Sequence, residues 1–339
     1  MSRPGWIKLD AVLASTLDEV LARLPQSLLP LEADPEQSDA LGINSNNFQL
    51  NTAKGVFVLK QWSDQAAQRD IQNTVAIMTW LASQDLPVPA PVELEPDNCV
   101  LLIGSGRWSL FPFVEGAYFS GADDELSAAA EVTGRIMNAL PLLPAAYLPA
   151  NGPGQMMATD GELLSRVQGL SRDWVALFGI AHADQLALSW PVVMAEWELL
   201  STSPMSGGQI QAAHFDLHPH NILVGGGKVA AVLDFEACKV MPVGFALGFA
   251  ALKQCRQAMT LHPLSADPRR VGSLYADHLL RTCPRVRGLI AHFGDLAVAE
   301  VLRRICIILR LNVENGDKKW NKVLAVQLRH LVEARALFG

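Results

Sequence analysis

Two short runs hold residues whose types and spacing could do chemistry: His214-Phe215-Asp216-Leu217-His218-Pro219-His220-Asn221 and, a little further on, Asp234-Phe235-Glu236. The first has the spacing H-x-D-x-x-x-x-N. There a carboxylate can take a proton from an attacking hydroxyl while an amide further along the loop reaches a cation. Asp216 is then the candidate base, Asn221 and Asp234 the candidate ligands of a hard cation such as Mg²⁺, and His214 a residue whose imidazole holds the turn. The chemistry implied is phosphoryl transfer. It leaves a protein little covalent work, and catalysis consists mostly of positioning and of neutralising charge on phosphate oxygens. Oxygen donors suit that cation. A different use of the same stretch, with His214, His218 and His220 chelating a transition metal, lacks the cysteine or carboxylate cluster that would complete a tetrahedral set. A D-x-x-x-x-N spacing also recurs by chance, so the order of the two runs and the element between them carry the reading.

That element is a hairpin. Ile222-Leu223-Val224 and Val229 to Leu233 read as strands joined by Gly225-Gly226-Gly227-Lys228, which would fold Asp234 back beside Asn221. A second hairpin is expected near the amino terminus. The turn-rich segment Leu41-Gly42-Ile43-Asn44-Ser45-Asn46 leads into Asn47-Phe48-Gln49-Leu50, and Lys54-Gly55 turns the chain into Val56-Phe57-Val58-Leu59-Lys60. Backbone N–H groups around Asn46 could approach phosphates, and Lys60 at a strand end could hold the α and β phosphates or be simply solvated. A helix should follow from about Asp64 to Ser83, with Ile71, Val75, Met78 and Leu81 on one face.

With these residues in view, the chain resembles the aminoglycoside phosphotransferase and choline kinase type of small-molecule kinases. Their pattern runs roughly H-G-D-x-H-x-x-N, then an apolar pair and D-F/W-E. The resemblance implies an α+β, protein-kinase-like two-lobed fold, with a small β-rich N-lobe over 1–112 and a larger, mainly helical C-lobe over 113–339. It also implies ATP and Mg²⁺ as cofactors and a small-molecule hydroxyl as acceptor: an amino sugar, an aminoglycoside, an amino alcohol or a homoserine-like compound. By the same resemblance Asp70 occupies the position of the helical acid that pairs with the strand lysine. Val114-Glu115-Gly116 occupies the interlobe hinge, placing Glu115 at the adenine edge. Two departures stand out: Phe215 where the family has glycine, and Phe245-Ala246-Leu247 where it has an Asp-Leu-Ala triplet whose aspartate anchors the loop from below. Packing by Phe245 is expected to take over that support.

Beyond the hinge the periodicity is helical: about 123–140, 161–178, 186–200, 245–259, 271–281, 295–311 and 320–337, with Asp295 an expected N-cap and Gly316 an expected stop. Composition agrees with a soluble cytoplasmic enzyme. No apolar run is long enough to span a bilayer, no signal-peptide core opens the sequence, and five scattered cysteines without a C-x-x-C pair suit a reducing compartment. A net charge of −7 argues against nucleic-acid or anionic-membrane partners. Acids such as Glu115, Asp123, Asp124, Asp173, Glu196 and Glu198 could attract a cationic acceptor, and Trp174, Trp190 and Trp197 could stack on it, although solvated faces and cores carry such residues anyway. The rival to an enzyme is a catalytically silent, kinase-like binding protein, and a protein kinase is remoter because no A-P-E segment is present.

A nucleotide site of this kind predicts that Mg²⁺ and ATP together raise the melting temperature, by a stabilisation of about 2.7 kcal/mol at a hundredfold excess over Kd. ATP with a chelator should do much less. A melt unmoved by any purine nucleotide with any divalent ion contradicts the reading.

Overall fold

The computed structural model describes residues 6–8, 11–28, 36–38, 46–150, 160–202, 207–262 and 267–338. The turn expected over 41–45 lies outside them. The chain forms two compact units. The first runs to Ala117 and takes the chain back twice, at Leu143–Pro149 and Ala230–Glu236; the second holds the remainder. The expected division after residue 112 is thus joined by two returns, the later of which carries Asp234 and Glu236.

The first unit is built on a sheet, because its strands alternate apolar and polar residues while α1 offers an apolar face to cover one side. Its elements are β1 (Trp6–Lys8), α1 (Ala11–Ala22), β2 (Glu36–Ser38), β3 (Asn46–Thr52), β4 (Gly55–Gln61), α2 (Gln68–Ser83), β5 (Leu101–Ile103) and β6 (Gly106–Pro112). The strands pair antiparallel in the order β1-β2-β3-β4-β6-β5. In the β3–β4 register Asn47 faces Lys60 and Thr52 faces Gly55. The Thr52 hydroxyl closes the turn, accepting the Lys54 N–H and donating to the Gly55 carbonyl. Leu17, Val20, Leu24, Phe48, Leu50, Leu59, Trp108 and Leu110 form the core between α1 and the sheet. The helix expected from Asp64 begins at Gln68, since 64–67 turn through a Ser63 carbonyl bond instead.

From β7 (Ala117–Tyr118) the chain is mainly helical: α3 (Asp123–Ala139), α4 (Asp160–Gly169), α5 (Trp174–Phe178) and α6 (Ile180–Thr202). Four short strands interrupt the helices: β8 (Ile210–His214), β9 (Ile222–Gly225), β10 (Lys228–Val232) and β11 (Cys238–Pro242). After them come α7 (Val243–Leu261), α8 (Pro268–Thr282), α9 (Arg287–Ile290), α10 (Phe293–Asn315) and α11 (Asn321–Phe338). The β9–β10 hairpin is present as expected, its turn made by Gly226 and Gly227 at φ +59° and +72°, values that L side chains rarely adopt. Strands β8 and β11 pair antiparallel with His214 opposite Cys238. Helices α7 and α10 are buried along most of their length, which is why both read as apolar nearly all round. Gly316 stops α10 in the left-handed conformation, as expected. Its start differs: the N-cap is His292, and Asp295 sits within the first turn, paired with Arg335. Among the described residues no helix is long and apolar enough to cross a membrane.

The start of α7 decides what Phe245 does. The Gly244 N–H donates to the Gly207 carbonyl at 2.8 Å. A Cβ on Gly207 would lie 2.8 Å from the Phe245 ring and 2.6 Å from Pro242, so glycine is needed for this approach. Phe245 is buried against that segment. Among the described residues, the α7 side chain that hydrogen-bonds to the catalytic loop is Gln254, whose Nε2 donates to the Leu217 carbonyl at 3.2 Å and lies 3.4 Å from the Thr133 hydroxyl. Support from below is thus a hydrogen bond from a buried amide, which corrects the expectation of support by Phe245 packing. Phe245→Asp should remove a packed ring and put a carboxylate in a buried, largely apolar position, at a cost of at least about 3 kcal/mol. Chemical denaturation should show a lower midpoint with an unchanged slope. Wild-type stability in this variant would mean that the ring contributes nothing.

Candidate active site

In the first unit the expected residues separate into one close pair and several outliers. Lys60, near the end of β4, directs its Nζ to the Glu236 carboxylate, and both side chains are largely shielded. The same Nζ lies 4.4 Å from the Trp62 ring centre. Asp70, expected as the partner of Lys60, is instead exposed in the first turn of α2. The later start of α2 leaves it at the helix tip, where a short side chain is solvated. Asp234 has φ +62°, a left-handed conformation that Asp tolerates better than most residues and that clusters where function constrains the backbone. The short 3₁₀ turn Phe235–Ala237 that follows turns the Phe235 ring inward and leaves Glu236 free for Lys60. Asn46 is exposed at the start of β3 and donates from Nδ2 to Gln61 Oε1 at 2.9 Å. Glu115 is exposed in the stretch after β6.

In the second unit the loop after β8 is tightly tied. Fully buried His214 accepts the Asp216 N–H at Nδ1, 3.3 Å away, so the imidazole proton sits on Nε2. The His218 Nδ1 accepts the His220 N–H and caps the 3₁₀ turn Pro219–Asn221. Asn221 donates from Nδ2 to the Asp216 carbonyl at 2.9 Å, which orients its amide and leaves Oδ1 as an oxygen donor. One loop thereby fixes the candidate base and one candidate cation ligand with respect to each other.

The residues that the sequence did not announce are on α7 and α10. Arg304 donates to Asp216 Oδ1 at 3.1 Å, to the Phe215 carbonyl at 3.2 Å and to Glu300 Oε1 at 2.8 Å. Its guanidinium carbon lies 3.8 Å from the Phe249 ring centre and 5.6 Å from that of Phe215. Arg303 also grips Glu300, at 2.6 and 2.7 Å, and Glu300 is only 1% exposed. The available signal was Arg303-Arg304 inside an otherwise apolar helix, three and four residues after an acid. Similarly, Glu236 was visible as the third residue of Asp234-Phe235-Glu236.

These contacts set the protonation states. Burial pushes the Asp216 carboxyl up, but Arg304, His218 and His214 together outweigh it and hold the group below the usual carboxylate range. Burial lowers the His218 imidazole to about 4 against the opposing pull of Asp216, whose carboxylate lies 3.7 Å away, so His218 is neutral at pH 7. Burial, with Arg304 and Arg256 nearby, lowers the Lys253 ammonium to about 8. The arrangement supplies an ionised carboxylate on a rigid loop, in cationic surroundings.

Comparison with known proteins bears on the family and the fold. A family model described as the phosphotransferase enzyme family matches residues 37–281. A homoserine kinase from a Bradyrhizobium species is 29% identical over 206 residues, 58% of this chain and 56% of that protein. The homoserine kinase of Gluconobacter oxydans is 26% identical over 196 residues, 58% of each. The chain therefore spans little more than half the length of these relatives. Among solved structures, a spectinomycin phosphotransferase in complex with ADP and spectinomycin superposes with a TM-score of 0.63 at 10% identity, over 96% of this chain and 97% of that one. A microcompartment-associated aminopropanol kinase gives 0.60 at 12% identity, over 93% and 95%. An amicoumacin kinase in complex with AMP-PNP, Ca²⁺ and Ami gives 0.60 at 13% identity, over 96% of each. At such identities the likeness shows the fold, which is the kinase-like α+β fold expected.

The lowered Lys253 ammonium has a measurable consequence. Between about pH 8 and its ordinary value of 10.5 the unfolded chain carries the proton and the folded chain does not. This residue therefore makes stability rise with pH across that window. Below pH 8 both states are protonated and the buried charge weakens the fold. Lys253→Met should be more stable than wild type at pH 7, with the difference shrinking from pH 8 to 10.5 in parallel denaturation series. A difference that stays constant across the window contradicts the assignment.

Proposed function

We propose that this chain, which belongs to the phosphotransferase enzyme family, is a small-molecule kinase that moves the γ-phosphoryl group of ATP to a hydroxyl group. The observation that carries this reading is the Asp216 carboxylate, kept ionised by Arg304 on a loop whose Asn221 amide is oriented by the Asp216 carbonyl. The hydroxyl of the acceptor donates its hydrogen bond to Asp216, and its oxygen forms the new bond to the γ-phosphorus. The bond from that phosphorus to the β,γ-bridging oxygen breaks, ADP leaves with the electron pair, and the proton goes to Asp216. A carboxylate held below the usual range is a weak base. That suits a loose transition state in which the proton moves late and orientation of the nucleophile matters most.

Lys60, restrained by Glu236, is the residue proposed to meet the nucleotide phosphates. Asn221 Oδ1 and the Asp234 carboxylate fit Mg²⁺, being hard oxygen donors, one on an oriented amide and the other on a constrained backbone. The cation would neutralise charge on the phosphate oxygens. The exposed positions of Asn46, Asp70 and Glu115 give no comparable support to a part for them in nucleotide binding. The homoserine kinase relatives and the kinase-like fold of the aminopropanol and spectinomycin enzymes support a small hydroxylated acceptor. A silent binding protein would have no need of an ionised Asp216, an oriented Asn221 and a paired Lys60 together.

The two aspartates should fail differently. Asp234→Asn should weaken Mg²⁺-nucleotide binding and turnover together. Asp216→Asn should leave nucleotide affinity nearly intact while slowing transfer by roughly 10²- to 10⁴-fold. Titration with Mg²⁺-ATP and single-turnover kinetics separate the outcomes, and equal loss of nucleotide affinity in both variants would refute the separate roles.

A further inference from the structure

The groups around Asp216 in the second unit are unusually cationic for a site expected to take an amine. Arg303 and Arg304 share the buried carboxylate of Glu300, and Arg304 also meets Asp216. Arg256 has its own partner in Glu333. Lys253 completes the set, one helical turn after Phe249 on α7. Its Nζ lies 5.8 Å from the Phe249 ring centre, and the Arg304 guanidinium lies 3.8 Å from the same centre. Among the described residues the Lys253 ammonium makes no hydrogen bond and no ion pair. Of these four cations the three arginines are each ion-paired with Asp216, Glu300 or Glu333, whereas Lys253 feels Asp216 and Glu333 through space and is bonded to neither. A half-buried ammonium with three unused donors is costly unless an anion meets it. When Asp216 accepts the proton of the acceptor, the local positive excess grows further.

We infer that Lys253, with Arg304 beside it, is the binding point for an oxyanion carried by the acceptor, so that the substrate is a hydroxylated acid and not a polycationic aminoglycoside. This rests on the kinase reading and narrows it. The shared chemistry is a compact oxyanion, and a carboxylate is favoured over a phosphate because a single ammonium is available to it while Arg304 is already committed to Asp216 and Glu300. Charge-assisted hydrogen bonds from the ammonium would fix the acid end, leaving the hydroxyl to reach Asp216. Burial holds the ammonium near its point of neutrality, and an incoming anion would restore its charge. Lys253 acts in binding and is not a group that touches the transferred phosphoryl.

The test compares alcohols that differ in one group: L-homoserine and 4-hydroxybutyrate, which carry a carboxylate; L-homoserine amide and 3-amino-1-propanol, which do not; and glycerol 3-phosphate, which carries a phosphate. Phosphoryl transfer from Mg²⁺-ATP and the melting temperature in Mg²⁺-ADP are measured for wild type, Lys253→Met and Lys253→Arg. Wild type should prefer the carboxylates, in turnover or in melting shift. Lys253→Met should raise the KM or Kd of those compounds by about tenfold or more, with kcat falling less. Lys253→Arg should recover most of the loss, which a merely structural lysine would not require. Preference for glycerol 3-phosphate with the same Lys253 dependence keeps the oxyanion site and changes its ligand to a phosphate. Equal or better use of the amide or the amino alcohol, or a carboxylate preference untouched in Lys253→Met, overturns the inference. So does a protein that binds Mg²⁺-ATP and neither turns over nor binds any anionic compound, and that result leaves the kinase reading in place. A protein that Mg²⁺-ATP does not stabilise at all fails at the kinase reading instead.

Discussion

The guanidinium of Arg304 is the constraint around which the second unit's site is organised. It is partly buried, stacked on Phe249, and shared between the carboxylates of Asp216 and Glu300 and the carbonyl of Phe215. A charge withdrawn from water in this way is tolerable only if its donors are satisfied. Each of those three acceptors lies on an element whose position is otherwise fixed: Glu300 one helical turn back on α10, Asp216 and Phe215 on the loop tied by His214 and Asn221. Removing any one contact leaves part of a buried charge unmet. The loop therefore has few conformations available to it. Phosphoryl transfer draws most of its rate from positioning, so that restriction serves the chemistry directly.

The departures from the family pattern become intelligible in these terms. Phe215, where a glycine was expected, places an aromatic ring 5.5 Å from the Arg303 guanidinium and 5.6 Å from that of Arg304. Its π face adds to the surroundings of two cations that share the Glu300 carboxylate. The absent aspartate on α7 is offset further along the same helix, where Gln254 supplies a donor to the Leu217 carbonyl. A neutral amide there holds the loop without adding negative charge beneath Asp216, so the cationic balance made by Lys253 and the arginines is preserved.

The first unit shows the same economy on a smaller scale. Lys60 is held by Glu236 and lies against Trp62, so the long lysine stem is kept from sweeping through solvent. Glu236 belongs to the same three-residue run as Asp234, whose left-handed backbone turns the chain sharply before the Phe235 ring is buried. A single tight turn therefore sets both an acid for the lysine and a candidate ligand for the cation.

Much of this was legible in the linear chain. The hairpin between Asn221 and Asp234 followed from a glycine turn between alternating residues. Most helices of the second unit followed from their period, although the segment expected as one helix over 161–178 breaks after Gly169 and resumes at Trp174, and Gly316 marked the end of α10 because few other residues accept that conformation. Asp216, Asn221 and Asp234 stood out as candidates because one loop and one hairpin set their spacing, and Lys60 because it ends a strand after a hairpin turn. Asp70 and Phe245 differ from expectation because each is assigned a partner across space from its place in a pattern, and a partner depends on where a helix begins and on what packs against it; Asp295 differs because α10 starts two residues earlier, at Phe293, which puts the expected cap inside the first turn. The pairing of Lys60 with Glu236, of Asp295 with Arg335 and of Asp216 with Arg304 joins residues separated by 176, 40 and 88 positions. No local propensity encodes such separations. They are decided when buried charges must each find a counter-charge within the packed unit, and only the folded chain settles which one is near.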